Sequence, residues 1–79
     1  MKNVFGEKLR AYRKEQGMKI RELAATSGVS ETYISHLERG KIFPRFKMVL
    51  RLSKALGIEM VDLIPSQEEV ERHEEKISA

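Results

Sequence analysis

Few residues of this 79-residue chain have types suited to reaction chemistry. Ser35 and His36 come nearest to a nucleophile and its base, but they are sequence neighbours. On a helix, adjacent side chains diverge by about 100°, so the two cannot form the hydrogen-bonded pair that activates a nucleophile. Asp62 is the sole aspartate, and no glycine-rich phosphate loop is present. His36 and His73 are the only histidines and there is no cysteine, which excludes disulfide frameworks, zinc fingers and iron–sulfur sites. No catalytic residue, no metal and no cofactor are expected, and the chain reads as a non-enzyme.

The sequence offers charge instead. Residues 1–64 hold thirteen Lys/Arg against seven Asp/Glu, a balance of +6, whereas residues 65–79 hold five Glu against Arg72 and Lys76, a balance of −3. The overall +3 therefore hides a basic body and an acidic tail. A compact basic domain tends to meet polyanions. The longest unbroken apolar runs, 23–25 and 48–50, are three residues long, far short of a membrane span. Met1-Lys2-Asn3 leads into no apolar stretch, so no secretory signal is expected. The expected location is cytoplasmic, with no membrane partner.

The elements that must position the charges follow from apolar spacing. Phe5, Leu9 and Tyr12 fall at i, i+4, i+7, and Ile34 and Leu37 lie three apart. Phe46, Val49, Leu50, Ser53 and Leu56 trace a longer stripe. No stretch alternates as a half-buried strand does. Gly17, Gly28, Gly40 and Gly57 each follow a helical segment, and Pro44 and Pro65 mark two further boundaries. The spacing predicts helices over 3–16, 19–27, 30–39, 45–56 and 59–64, an all-α domain of five short helices. Ser66-Gln67-Glu68-Glu69 has the form of a capping box, with Val70, His73 and Ile77 as a thin apolar stripe behind it. Residues 65–79 therefore read as a short acidic C-terminal tail, helical or disordered.

The stretch 20–39, IRELAATSGVSETYISHLER, carries the most information. Two helices meet at Gly28 through a turn of about three residues. Ala24 is small where the helices must approach, Gly28 tolerates positive φ, Val29 plugs the core, and Ser30 suits the N-cap of the second helix. Ile34 and Leu37 face inward and leave Glu31, Thr32, Tyr33, Ser35 and His36 outward. This is the spacing of a helix-turn-helix, whose second helix enters a major groove.

The chain resembles the phage-repressor and Cro family of helix-turn-helix transcriptional regulators. The matching residues include Gly6-Glu7-Lys8-Leu9-Arg10, Arg13, Gly17-Met18, Glu22-Leu23-Ala24, Gly28-Val29-Ser30, Tyr33-Ile34-Ser35, Leu37-Glu38-Arg39-Gly40-Lys41, Pro44, Leu50, Ala55-Leu56-Gly57-Ile58 and Asp62-Leu63. They cover residues 4–64 and imply the λ-repressor-like five-helix DNA-binding domain over residues 1–64. The resemblance implies sequence-specific binding to double-stranded DNA, with repression as the favoured outcome. It also implies that Glu31, Thr32, Tyr33 and His36 read bases. Glu31 can accept from a cytosine amino group, and Thr32 can meet a thymine methyl. Lys19, Arg21, Ser30, Ser35, Arg39, Lys41, Arg45 and Lys47 are the expected contacts to the DNA backbone. Arg13 and Glu38 are expected to form a structural ion pair rather than to touch DNA.

Two positions depart from the family pattern. Where a hydroxyl residue and then a glutamine usually open the second helix, this chain has Lys19 and Ile20, and the fourth helix opens on Arg45. Cations at helix N-termini oppose the macrodipole and forgo a cap, at about 0.5–1 kcal/mol each. A bound phosphate would reverse that penalty. Members of the family usually bind near-palindromic sites as two-fold dimers, and Met60, Val61, Ile64 and Val70 are the expected homodimer interface. A basic protein partner for the acidic tail is a further expectation. The alternative reading is a protein-interaction module or antitoxin of the same fold. Mobile-element repressor and restriction–modification controller fit the size equally well.

Overall fold

A computed structural model describes residues 4–64. It contains α1 (Val4–Glu15), α2 (Ile20–Ser27), α3 (Glu31–Glu38), α4 (Phe46–Leu56) and α5 (Met60–Leu63), with no strand among the described residues. The expected segments differ from these by a residue or so at each end. Most of the difference is the capping residues Lys19, Ser30, Arg45 and Glu59, which are extended rather than helical.

The core draws on all five helices and the α2–α3 turn: Phe5, Leu9, Leu23, Val29, Ile34, Leu37, Val49, Leu52, Leu56 and Leu63. α1 packs on α3 and α5, α2 on α3 and α4, and α4 on α5. Each helix is too short to be stable alone, so burial of its apolar stripe against neighbours is what holds it. The stripe of α4 is corrected by the structure. Its buried face is Val49, Leu52, Ser53 and Leu56, whereas Leu50 is half-buried and Phe46 is 72% exposed. Phe46 has the right spacing for that face. It is, however, the first residue of α4, and there the helix extends past the partners that would cover it. Ser53 fits the core because its hydroxyl donates to the Leu50 carbonyl at 2.9 Å.

Local chemistry ends and starts the helices. Gly28 closes α2 at φ 75°, with its N–H donating to the Ala24 carbonyl. Residues 28–30 then make the whole α2–α3 connection. The Ser30 hydroxyl oxygen accepts from the Tyr33 amide at 3.1 Å and caps α3. Ser30→Ala is expected to destabilise the domain by about 1 kcal/mol through loss of that cap, read as a lower urea midpoint with an unchanged slope. A variant as stable as wild type would show that the cap contributes nothing. At the far end of α4, the Gln16 side-chain amide donates to the Leu56 carbonyl. This satisfies one of the four carbonyls that a helix leaves open and ties the end of α1 to α4.

Candidate nucleic-acid interface

α3 is oriented by its buried face. Ile34 and Leu37 are fully enclosed, and Glu38 is buried beside them. The opposite face is thereby turned outward: Glu31 and Thr32 are exposed, and Ser35 and His36 are half-exposed. Glu31, Thr32, Ser35 and His36 line one shallow open depression together with Ile20, the first residue of α2. A second cleft shares Ile20 and Ser35 and is walled by Arg10, Arg13, Glu38 and Arg39.

The structure brings Glu31, Thr32 and His36 onto one surface, but not Tyr33. The Tyr33 ring packs against the core, and its hydroxyl oxygen is buried without a hydrogen-bond partner among the described residues. Tyr33, expected among the base-reading residues, is thus placed as a packing residue against the core. On α3 it lies one residue before Ile34, so its long side chain reaches back over the core edge.

The register of α3 is locked by one ion pair. The Arg13 guanidinium donates from Nε to Glu38 Oε2 at 2.7 Å and from Nη2 to Glu38 Oε1 at 2.9 Å. Its remaining arm, Nη1, donates to the Met18 carbonyl at 2.8 Å. Arg13 thus joins α1, the α1–α2 turn and the end of α3. The hydrogen bonds that Arg13 donates to Glu38 raise the Arg13 pKa above its ordinary value, against the opposing effect of burial.

The cations Lys19, Arg21, Arg39, Lys41, Arg45 and Lys47 are all exposed. Ser30 is exposed too, and its hydroxyl hydrogen remains available to donate after the oxygen has capped α3. Arg10, also exposed, walls the second cleft and was not among the expected contacts. The available signal was its spacing. Residues three apart share a helix face, so Arg10 had to lie on the face that Arg13 turns toward α3.

The two helix starts that open on a cation are not alike. At α2 the Glu22 carboxylate accepts from the Lys19 amide at 3.1 Å. Lys19 itself makes no side-chain cap hydrogen bond, as expected, but the acid at the third helical position supplies half of a capping box. At α4, Arg45 makes no side-chain cap and the first turn carries no acidic residue. The start of α4 is consequently the more open anion seat, with unsatisfied amides, the positive end of the dipole and two cations in Arg45 and Lys47.

The expected dimer residues divide. Val61 and Ile64 are 70% and 48% exposed. Met60 is half-buried against the core. Val70 lies outside the described residues, as does the whole acidic tail. No described helix is long and apolar enough to cross a membrane.

Known proteins resemble this chain in sequence and in fold. A family described as Helix-turn-helix matches residues 9–63. An uncharacterized HTH-type transcriptional regulator of Sinorhizobium fredii, y4dJ, is 35% identical over 69 residues, 87% of this chain and 90% of that protein. The chain spans 43%, 48% and 62% of the length of three further curated helix-turn-helix regulators. Among solved structures, the restriction-modification controller protein C.AhdI from Aeromonas hydrophila superposes with a TM-score of 0.75 at 34% identity, covering 77% of this chain and 92% of that one. The P22 c2 repressor, solved in complex with a synthetic operator, gives a TM-score of 0.72 at 35% identity, covering 78% and 94%. With the family matched over most of the chain and both solved structures superposing on its five helices, the chain belongs to the helix-turn-helix family of DNA-binding transcriptional regulators, with the λ-repressor-like five-helix fold.

Proposed function

We propose that the protein is a cytoplasmic repressor that binds a near-palindromic operator as a homodimer and reads the major groove with α3. The observation that carries this reading is the single open surface on which Glu31, Thr32 and His36 stand together, on the side of α3 opposite Ile34 and Leu37. Glu31 accepts from a cytosine amino group, Thr32 offers a hydroxyl and a methyl, and His36 lies one turn further on. Arg21, Ser30, Ser35, Arg39 and Lys41 contact phosphates around that surface. Lys19 and Arg45, with Lys47, hold the phosphates at the starts of α2 and α4. Val61 and Ile64 supply exposed apolar area for the two-fold contact, with Met60 behind them.

Selection of bound sites from a random duplex pool tests the reading. The expected product is a two-fold pair of half-sites about 10 base pairs apart, centre to centre. Recovery of no common sequence would sink it. With the selected operator, Lys19→Ala and Arg45→Ala are each expected to weaken binding and to flatten the dependence of log affinity on log salt by about one unit. The loss at Arg45 is expected to be larger, because Glu22 already occupies the start of α2. Unchanged affinity and slope in both variants would remove these helix starts from the interface.

A further inference from the structure

The helix-turn-helix reading leaves one surface feature unused. Phe43 and Phe46 are 85% and 72% exposed. Exposing two aromatic rings three residues apart forgoes a large apolar burial, and Ile42 between them and α3 does pack on the core. Nothing among the described residues covers the two rings.

Their setting identifies what does. From Arg39 to Ile58 the sequence has six Lys/Arg and no Asp/Glu. Lys41, Arg45 and Lys47 alternate with the two rings and are exposed with them. A second copy of this chain would have to bring the patch against itself across a two-fold axis, placing like charges together. A polyanion meets no such repulsion. Position agrees with charge. The Lys41 amide donates to the His36 carbonyl at 2.9 Å, which fixes the loop to the last turn of α3. Phe43 follows two residues later, within about 7 Å of chain. Phe46 is the first residue of α4, at the helix start that bears no carboxylate.

We propose that Phe43 and Phe46 are DNA-contacting residues: their rings close on the apolar deoxyribose faces on either side of the phosphate seated at the start of α4. The proposal rests on the DNA-binding reading above. It adds a contact of different physics, apolar and independent of both salt and base sequence. The clamp fixes how the domain sits on the backbone and leaves base choice to α3.

Phe43→Ala, Phe46→Ala and the double variant test it, with the selected operator and a random-sequence duplex measured at two salt concentrations. Each single variant is expected to weaken both duplexes by about tenfold, through loss of a ring-sized apolar burial. The ratio of operator to random binding and the salt slope are expected to stay as in wild type. Thermal stability is expected to change little, because the two rings are 85% and 72% exposed and exposed substitutions usually stay within about 0.5 kcal/mol. Variants that bind both duplexes like wild type overturn the proposal while leaving the DNA-binding reading intact. Variants whose weaker binding is fully explained by a shifted monomer–dimer equilibrium in sedimentation also overturn it, in favour of a self-contact. A wild-type protein that retains no duplex at either salt concentration overturns both readings together.

Discussion

Replacing Glu38 with alanine is expected to lower the free energy of unfolding by about 3–5 kcal/mol, because the substitution leaves a buried guanidinium without its carboxylate. Arg13 and Glu38 are both buried and paired through two hydrogen bonds. In the variant only the bond from Arg13 to the Met18 carbonyl remains. A domain this small has little margin, since typical stabilities are about 5–15 kcal/mol and the low end belongs to short chains. The variant should therefore lose most of its cooperative unfolding transition near room temperature, in urea or by heating. Arg13→Met is expected to be similarly damaging, because it strands the carboxylate. The double variant Arg13→Met with Glu38→Leu is expected to regain most of the loss, because no charge is then left buried. That pattern separates a buried pair from two independent surface charges. Single variants within about 0.5 kcal/mol of wild type, the range of ordinary surface substitutions, would refute the pairing. An operator supplied in excess should partly rescue Glu38→Ala, since a ligand that binds only the folded state stabilises it.

The second large effect is at Gly6, and its sign runs against helix propensity. Alanine in the interior of an exposed helix is better than glycine by about 1 kcal/mol. Gly6 is buried inside α1, and a Cβ there would collide with the Leu37 carbonyl oxygen and lie 3.0 Å from the Glu38 carbonyl oxygen. Both obstacles are backbone and cannot rotate away. Gly6→Ala is expected to force α1 from the end of α3 and to destabilise the domain by about 1–3 kcal/mol after the propensity gain, in the range of core overpacking. The same displacement pulls Arg13 from Glu38, so Gly6→Ala and Glu38→Ala should combine to less than the sum of their separate effects. Chemical denaturation of the two variants and their double measures this. Stabilisation by Gly6→Ala would mean that α1 and α3 do not approach as closely as the structure has them.

Particular residues show how far the sequence could be read. The α2–α3 turn was legible down to the residue, because Gly28 and Ser30 act within a few positions of themselves. The buried pairs Ile34–Leu37 and Leu9–Phe5 were legible because one helix turn sets their spacing. The same rule puts Phe46 in the core, where the structure exposes it, and leaves out Leu52, which is fully buried. The rule gives the angle of a residue around its helix. It does not give the distance along the axis at which partners stop. The bond that Glu22 accepts from the Lys19 amide follows from a local rule, an acid at the third helical position. The bond from Gln16 to Leu56 joins positions 40 apart and carries no local mark.

The candidate surface divides in the same way. Glu31, Thr32 and His36 could be placed on one face of α3 from periodicity, and the cations could be counted. Tyr33 could not be assigned, since its ring could lie over the core or toward solvent with the same backbone. The structure selects the core and buries the hydroxyl. Arg10 entered only when α1 and α3 were brought together.

The sequence by itself determined the helices, their breaks, the helix-turn-helix register and the basic character of the body, because each is written in contacts within a turn or two of chain. Only the tertiary structure decided that the Gly6 backbone abuts α3, that Arg13 spans three elements, and that Phe43 and Phe46 stand free among cations. Those facts depend on which helix ends meet and which overhang. Such meetings are fixed by packing the whole core at once, not by any local preference of the residues concerned.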